Sequence, residues 1–438
     1  MFFSALLFAL LGGGTSAAPR VDTTVITDIS VLPMDANRVL AHQTIVVVDG
    51  RIVALGRTGT VRVPRTAQRI DGRGKFIIPG LSDMHVHLST TEEFPLFVGS
   101  GVLTVRDLNG SPEKLRWRDS INARQMAGPT LFVSGPMIAG ASIPWSNKAV
   151  PTSAREADSI VTAQARAGYD QIKIYDALSR EVFDAAIAAA KRTGLRSSGH
   201  IPDSVGFDLV LASGMNGLEH LDKTIAAAMG RNIDTLAIPS IVDRIRRSGT
   251  WVTPTLESMA QMSLVFTGGY DSLMNRPEAL RAPAPLRDFW TSVTSRLKRS
   301  RARDTVYRYG AYAEIQMRLA GALARAGVPM MSGTDLPNLV LVPGVSLHRE
   351  LVVMGEAGMT PYQVLESSTS APARFFGQSK QWGTVAVGRR ANLVIVDANP
   401  LEHLETLRTP YAVLLHGRTY DAAELAGMRE GSGWPPAH

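Results

Sequence analysis

The stretch LSDMHVH ends in two histidines, His85 and His87, separated by a single valine. Residues two apart on a β-strand share a face, so both imidazoles are expected to point the same way. Neutral imidazole is the commonest protein ligand for metal ions. Because the chain has nine histidines among 438 residues, this spacing alone is a moderate signal, and it predicts one part of a metal site.

Three further ligand candidates end other strand-like runs. His200 ends LRSSGH, His220 ends MNGLEH and Asp335 ends PMMSGTD. Singly, each has an ordinary interpretation, since a histidine at a strand end is more often structural and Asp335 could cap a helix. If the runs are parallel strands of one barrel, however, their ends meet at one mouth, where barrel active sites lie. Together these residues predict a metal centre.

A lysine in the run QIKIYD is expected to point at the same mouth, because alternation turns Lys173 and Tyr175 inward while the isoleucines face outward. Lysine is almost never fully buried without a partner, and burial lowers its pKa and frees the amine. A free amine can add carbon dioxide to give a carbamate, whose two oxygens can bridge two metals. The alternatives are a lysine that reaches solvent or one paired with a carboxylate. Beside the histidines, we expect the carboxylated ligand.

The composition limits the chemistry further. The chain contains no cysteine, which excludes disulfides, thiolate metal sites and a cysteine nucleophile. Apolar residues make up 45% and charged residues 19%, as in a packed globular protein. The net charge is +7, and the densest basic stretch, RLKRSRAR at 296–303, lacks interleaved aromatic residues. We interpret it as a solvated helix face and expect no nucleic-acid partner.

The elements that would position these residues alternate between strand and helix from 79 to 376. The strand candidates, in order, are LSDMHVH, VLTVRD, TLFVSG, QIKIYD, LRSSGH, MNGLEH, TWVTPT and PMMSGTD. Eight such units in about 300 residues predict an α/β fold of the (β/α)8 TIM-barrel type. The segment 257–327 is long for one crossover, and we expect two or three helices there that cover the barrel mouth.

The two chain ends show a different sequence pattern from the middle of the chain. Runs such as TIVVVDGRIVALG and GTVAVGRRANLVIVDAN combine short β-like stretches with glycine-containing turns. They predict one small β-sandwich domain built from residues 19–78 and 382–438, with the barrel domain at 79–381. Residues 1–18, an apolar run followed by small residues, predict a signal peptide and hence a periplasmic or secreted protein. A lipid-facing anchor is the alternative, because no basic residue precedes the run.

Taken in order, PGLSDMHVH, QIKIYD, SGHIP, NGLEHL, SGTDLP and GTVAVGRRANLVIVDANPL resemble the amidohydrolase superfamily, in particular its imidazolonepropionase-like and prolidase-like branch. The resemblance covers nearly the whole chain after the leader. It implies a binuclear site whose ligands are His85, His87, Lys173, His200, His220 and Asp335. In that pattern the first two histidines and the aspartate hold one metal, the later two histidines hold the other, and the carboxylated lysine bridges them.

The chemistry expected of such a site is hydrolysis. Zinc suits histidine-rich sites with oxygen ligands, and the ligand types leave manganese or cobalt open. Two metals would lower the pKa of a bridging water to give hydroxide at neutral pH, with Asp335 as general base. Tyr175 would donate to the oxyanion or to a substrate carboxylate, or only pack at the rim. Trp145 and His348 are further candidates to line the pocket.

These inferences predict an enzyme that cleaves amide bonds, in dipeptides of the prolidase type or in N-acyl or aryl amides of amino acids. The substrate is expected to carry a free carboxylate, and the enzyme to form a homo-oligomer. A cyclic amide, lactone or ester hydrolase would use the same site. A mononuclear deaminase would need a glutamate beside a metal-binding histidine; Glu219 precedes His220, but strand alternation predicts that it faces away. A non-catalytic barrel is the last alternative.

Overall fold

The computed structural model describes residues 23–230, 233–299 and 303–435. The signal peptide predicted at 1–18 lies outside these residues, and the side chains of the basic stretch 296–303 lie outside them too. Among the described residues, no helix is both long enough and apolar enough to span a lipid bilayer.

The fold is mixed α/β, and its strands form three sheets in the described part of the chain. The strands are β1 (Thr23–Val31), β2 (Leu40–Val48), β3 (Arg51–Arg57), β4 (Gln68–Asp71), β5 (Phe76–Pro79), β6 (Leu81–Val86), β7 (Val102–Asp107), β8 (Thr130–Val133), β9 (Met137–Ile138), β10 (Lys148–Ala149), β11 (Gln171–Ile174), β12 (Arg196–Gly199), β13 (Gly217–Glu219), β14 (Trp251–Thr253), β15 (Leu393–Val396), β16 (Ala412–Leu415) and β17 (Arg418–Asp421).

Helices separate most strands of the middle part. They are α1 (Phe94–Gly99), α2 (Pro112–Asn122), α3 (Ala154–Arg166), α4 (Arg180–Thr193), α5 (Phe207–Ser213), α6 (Leu221–Met229), α7 (Ile238–Ser248), α8 (Leu256–Phe266), α9 (Tyr270–Met274), α10 (Pro277–Leu280), α11 (Ala284–Arg299), α12 (Arg303–Arg325), α13 (Val345–Glu356), α14 (Pro361–Ser367), α15 (Ser370–Phe375) and α16 (Ala422–Arg429).

The middle strands pair in parallel, which brings their C-terminal ends to one side. One sheet has the order β6-β7-β8, and another has the order β10-β9-β11-β12-β13-β14. An isolated parallel bridge between Ser134, just after β8, and Gln171 of β11 links the two. Seven of the predicted strand runs therefore coincide with strands, and the short β9 and β10 were not predicted.

The eighth predicted run, PMMSGTD, is not a continuous strand. Single parallel bridges replace it, one between Met330 and Val252 of β14 and one between Leu336, the residue after the run, and Val86 of β6. The backbone at Asp335 has a φ of 67°, which an extended strand does not allow. The run therefore still lies between β14 and β6, but it leaves strand geometry where its candidate ligand occurs.

The two chain ends meet in one mixed sheet of eight strands. Its order is β17-β16-β15-β5-β1-β2-β3, and β4 pairs with β1 as well. At its centre β5 lies antiparallel to β15, with Ile77 opposite Ile395. Both isoleucines belong to a separate apolar cluster that this sheet buries. The predicted association of the two ends is present, whereas the predicted domain boundaries stay predictions.

The long insertion contains α8 to α12 rather than two or three helices. The insertion is broken into more helices than predicted at three positions. Gly268, with a φ of 101°, prevents α8 from continuing, Pro277 is the first residue of α10, and Pro283 directly precedes α11. α8 and α11 contribute side chains to the cavity described below, so part of this insertion does lie at the site.

Candidate metal centre and its cavity

His85, His87 and Asp335 lie together where β6 meets the segment that follows α12. The Nε2 atoms of His85 and His87 lie 3.3 and 3.2 Å from Asp335 Oδ1, and one ligand atom from each residue lies within 4.8 Å of the other two. Backbone pairing produces this contact, since the Asp335 amide donates to the His85 carbonyl at 2.7 Å. Asn338 Nδ2 donates to Asp335 Oδ2 at 2.5 Å and orients the carboxylate.

His200 and His220 extend this cluster. The ring centroid of His220 lies 4.4 Å from that of His85 and 5.0 Å from that of His200. Each ring is held at Nδ1: His200 by Asp176 Oδ1 at 3.1 Å, and His220 by Thr255 Oγ1 at 2.8 Å. The four histidines predicted from strand ends are therefore contiguous in the structure.

The nitrogen atoms of this cluster fit a divalent cation. Within the described residues, the buried His200 Nε2 has no hydrogen-bond partner, and Asp176 accepts at the opposite ring nitrogen. Burial lowers the pKa of His200 to about 4, and burial holds the pKa of His85 and of His220 well below the usual value. Neutral imidazoles with a free lone pair are the form that binds metal.

Lys173 is fully buried, and its Nζ lies 3.5 Å from His85 Nε2. Complete burial contradicts the alternative of a lysine that reaches solvent. No described carboxylate lies within ion-pair distance of the amine, although the charges of Glu219 and Asp335 act on it from farther away. Burial lowers the pKa of Lys173 to about 8. About a tenth of such an amine is unprotonated at pH 7, compared with roughly three to four parts in ten thousand for an ordinary lysine.

Glu219 contacts the cluster, and the prediction that it faces away is wrong. β13 ends at Glu219, and the backbone of His220 has a φ of 68°, which breaks the two-residue alternation between them. Glu219 Oε2 lies 2.8 Å from His85 Nδ1, and Arg106 donates to Oε1 at 2.6 Å. The side chains of all three contacting residues are fully buried.

The role of Glu219 follows from these contacts. It accepts the Nδ1 proton of His85 and so leaves Nε2, the atom nearest Asp335, free as a ligand. Burial opposes its ionisation, but Arg106 and Lys173 hold the pKa of Glu219 below its usual value. Because Glu219 does not line the cavity, it is not placed to act on substrate as the glutamate of a deaminase would.

Asp176 holds the ring of His200, and this contact was not predicted from the sequence. Its Oδ1 accepts from His200 Nδ1, and its Oδ2 accepts from Lys223 Nζ at 3.1 Å. Burial opposes its ionisation, but His200 and Lys223 hold the pKa of Asp176 far below its usual range. The signal for it was an acidic residue directly after Tyr175 in QIKIYD.

A cavity of about 370 Å³ opens beside the cluster, and Tyr175 and Trp145 line it. Trp145 Nε1 donates to the Tyr175 hydroxyl at 3.0 Å, and burial raises the pKa of Tyr175 to about 12. The phenol therefore keeps its proton and can donate it into the cavity. His348 does not line the cavity, since it is buried in α13 with Nε2 2.9 Å from the Ser100 carbonyl oxygen.

Two further carboxyl groups, of Asp83 and Glu350, are buried outside the cluster. Burial raises the pKa of Asp83 to about 7, although Thr334 donates to both of its oxygens. Burial also raises the pKa of Glu350 to about 8. Glu350 Oε2 accepts from the Glu257 amide at 2.7 Å, and within the described residues its Oε1 has no partner. Glu350 is therefore mostly uncharged at neutral pH.

We expect Glu350→Gln to gain stability over the wild type as pH rises from about 5 to 8. In that window unfolded wild-type protein ionises the carboxyl, which is acidic with a pKa near 4.5, while folded protein keeps it protonated. The wild type therefore loses about 1.4 kcal/mol per pH unit that the glutamine variant keeps. Urea unfolding of both proteins at pH 5, 6.5 and 8 measures this difference, and parallel curves would contradict the raised pKa.

The chain is similar in sequence to one protein family and in fold to several solved structures. The sequence profile of the Amidohydrolase family matches residues 76–420. No curated protein matches the chain. Among solved structures, bottromycin amidohydrolase is 25% identical with a TM-score of 0.76, and the match covers 94% of this chain and 90% of that one.

Two further solved structures share the fold. One is from Bifidobacterium longum and is described as a prolidase; it is 24% identical with a TM-score of 0.73, and the match covers 94% of this chain and all of that one. The other is a prolidase complexed with N-methylphosphonate-L-proline; it is 20% identical with a TM-score of 0.68, and the match covers 91% of this chain and all of that one.

Proposed function

Because the chain belongs to the amidohydrolase family and so is a hydrolase of amide carbon–nitrogen bonds, we propose that it is a binuclear metal-dependent amidohydrolase. One observation carries this proposal. Four imidazoles, the Asp335 carboxylate and the unpaired amine of Lys173 form a contiguous cluster. Histidines that only stabilise the fold through hydrogen bonds would not need to lie together around one point.

The proposed scaffold is a closed (β/α)8 barrel with a β-sandwich domain built from both chain ends. The parallel order of the middle strands supports the barrel, and so do the isolated bridges on both sides of the segment 329–336. In a closed barrel all strand ends surround one mouth, which accounts for the convergence of residues from distant parts of the sequence.

We assign the metal ligands by position. His85, His87 and Asp335 would hold one divalent ion, and His200 and His220 a second. The Lys173 amine would attack carbon dioxide and lose a proton, giving a carbamate that bridges the two ions. The burial of Lys173 and the absence of a described carboxylate partner support this step. Zinc is the proposed metal, with manganese or cobalt as alternatives.

Divalent ions in these positions would supply Lewis-acid chemistry, lowering the pKa of water and polarising a carbonyl. Asp335 then takes the proton of the attacking water and returns it to the leaving nitrogen. Asn338 Nδ2 donates to Asp335 Oδ2 and so orients the carboxylate for this transfer. Tyr175, protonated and held by Trp145, donates to the carbonyl oxygen as negative charge develops, or to a substrate carboxylate.

The proposed substrates are dipeptides with a proline-like C-terminal residue, or N-acyl or aryl amides of amino acids. Similarity to a prolidase bound to a proline analogue and to an amidohydrolase named for bottromycin supports an amide within a peptide-like molecule. A cavity of about 370 Å³ accommodates a ligand of dipeptide size. A cyclic amide, lactone or ester hydrolase is the alternative with the same centre.

The experiment that tests this function uses protein reconstituted with zinc and bicarbonate. We expect hydrolysis of Xaa-Pro dipeptides or N-acyl amino acids by the wild type, and a loss of at least about a thousandfold in Asp335→Asn, since that residue is both ligand and base. Activity that persists in the variant would assign the hydrolysis to a contaminant. Hydrolysis of lactones and esters alone would favour the alternative.

We also propose that residues 1–18 direct export to the periplasm or the medium, and that the enzyme assembles as a homo-oligomer. Fractionation of expressing cells, with N-terminal sequencing of the mature chain, tests the export. A mature protein that starts at Met1 and stays in the cytosol would contradict it.

A further inference from the structure

The charged side chains of the cavity wall are not all paired with each other. Two lysines line the cavity, and both already have a counter-ion. Lys114 Nζ lies 2.8 Å from Asp107 Oδ2, and Lys223 Nζ lies 3.1 Å from Asp176 Oδ2. Neither lysine therefore offers an unneutralised positive charge to a ligand.

The acidic residue Asp222 lines the same cavity without such a partner. It is the second residue of α6, directly after the cluster histidine His220 and Leu221. Among the described residues, no side chain donates a hydrogen bond to its carboxylate or forms an ion pair with it. The neighbouring Lys223 would be the natural counter-ion, but its ammonium contacts Asp176 instead.

A partly buried carboxylate with no cation in contact is costly, because water is partly excluded and the charge of Lys223 acts on it only from beyond ion-pair distance. An acid in the first turn of a helix gains some stabilisation from the helix dipole, and that is the ordinary explanation of Asp222. It does not explain why the carboxylate lies in the wall of the substrate cavity while both wall lysines are paired elsewhere.

We propose that Asp222 binds a cationic amine of the substrate, which makes the preferred substrate an amide with a free α-ammonium group next to the scissile carbonyl. The inference rests on the proposed function. It separates the two substrate classes left open there, since dipeptides carry this ammonium and N-acyl amino acids do not. An ammonium donating to Asp222 forms a charge-assisted hydrogen bond, which gives specificity as well as affinity.

The test compares alanyl-proline with propionyl-proline, which differ only by the ammonium group. For the metal-loaded wild type, we expect kcat/KM to favour alanyl-proline by about tenfold to a hundredfold, the range of a hydrogen bond to a charged group. Asp222→Asn should lose that preference, keep the rate on propionyl-proline and keep its metal content by elemental analysis.

Asp208→Asn is the matched control. Asp208 is likewise the second residue of its helix, α5, but its side chain is 76% exposed and pairs with Arg244. This variant makes the same change of helix-terminal charge away from the cavity and should behave as the wild type. Equal loss on both substrates in Asp222→Asn, loss of metal from it, or no preference in the wild type would overturn the inference.

Binding without turnover keeps the inference separate from the proposed function. Hydrolysis of neither amide would contradict the proposed function but would not decide the role of Asp222. Titration calorimetry with L-alaninamide then decides it. Binding to the wild type that weakens at least tenfold in Asp222→Asn supports the ammonium site, and equal or absent binding in both proteins overturns it.

Discussion

Replacing Lys173 with methionine is expected to abolish amide hydrolysis while stabilising the metal-free protein. The lysine is fully buried, its amine lies 3.5 Å from His85 Nε2, and no described carboxylate lies within ion-pair distance of it. Burial lowers its pKa from 10.5 to about 8, so the folded protein carries an ammonium at neutral pH at a cost of about 3 kcal/mol. Methionine fills a similar volume without that charge.

The size of this stabilisation depends on pH. Below pH 8 both folded and unfolded wild type hold the ammonium, and the folded state bears the full cost of burying it. Between pH 8 and 10.5 the folded state releases the proton first, so wild-type stability rises with pH. The advantage of Lys173→Met should therefore be greatest below pH 8 and disappear above about 10.5.

Thermal and urea unfolding of metal-free protein in bicarbonate-free buffer measure the stability, and reconstituted protein measures the activity. We expect activity to fall by at least about a hundredfold to a thousandfold, as for other groups that act directly in a catalytic site. Lys191→Met, at an exposed lysine on α4, is the control; it should leave the activity unchanged and lower the stability only slightly, because it removes one exposed hydrogen bond from Nζ to the Ser213 carbonyl. A destabilised variant that retains activity would show that Lys173 has a packing role only.

Glu219→Gln is expected to be the most destabilising of the conservative changes at the site. It removes the only charge within contact distance that neutralises buried Arg106 among the described residues, and a buried charge left unpaired costs roughly 3–5 kcal/mol. It also weakens the acceptor that holds the Nδ1 proton of His85. Loss of such an outer contact typically lowers metal affinity about tenfold to a hundredfold.

Glu350→Gln is the control for that change, because Glu350 is also a fully buried glutamate. Its raised pKa makes it mostly uncharged at pH 7, so the amide is close to an isostere. We expect no loss of stability and no change in zinc affinity for Glu350→Gln, measured by urea unfolding and competition with a zinc chelator. If both variants were equally destabilised, burial alone would explain Glu219 and its ionic role would be wrong.

The ligand candidates could be predicted because parallel strands impose a simple rule. A residue at the C-terminal end of a strand faces the common mouth, so His200 and His220 could be grouped with His85 although more than 100 residues of chain separate them. The burial of Lys173 followed from alternation within a four-residue strand. Both arguments use only the two-residue alternation of side chains along a strand, and this alternation can be read from the sequence.

The contacts that surround the ligands were harder to predict, because they depend on departures from that alternation. The left-handed backbone at His220 ends the alternation there, so that Glu219 and His220, neighbours in the chain, both contact His85, and the left-handed backbone at Asp335 ends strand geometry at that ligand candidate. The ion pair between Arg106 and Glu219 joins residues that are 113 positions apart, and no local sequence pattern predicts it. The helices of the insertion add Met259 and Phe289 to the cavity through tertiary packing alone.

The metal content of the purified protein tests the central claim most directly. After reconstitution with excess zinc and bicarbonate and removal of unbound metal, elemental analysis should find about two zinc ions per chain, as a binuclear centre requires. A single ion would contradict the binuclear assignment and leave Lys173 as a buried amine without a metal to bridge. No bound zinc, manganese or cobalt would contradict the metal centre itself.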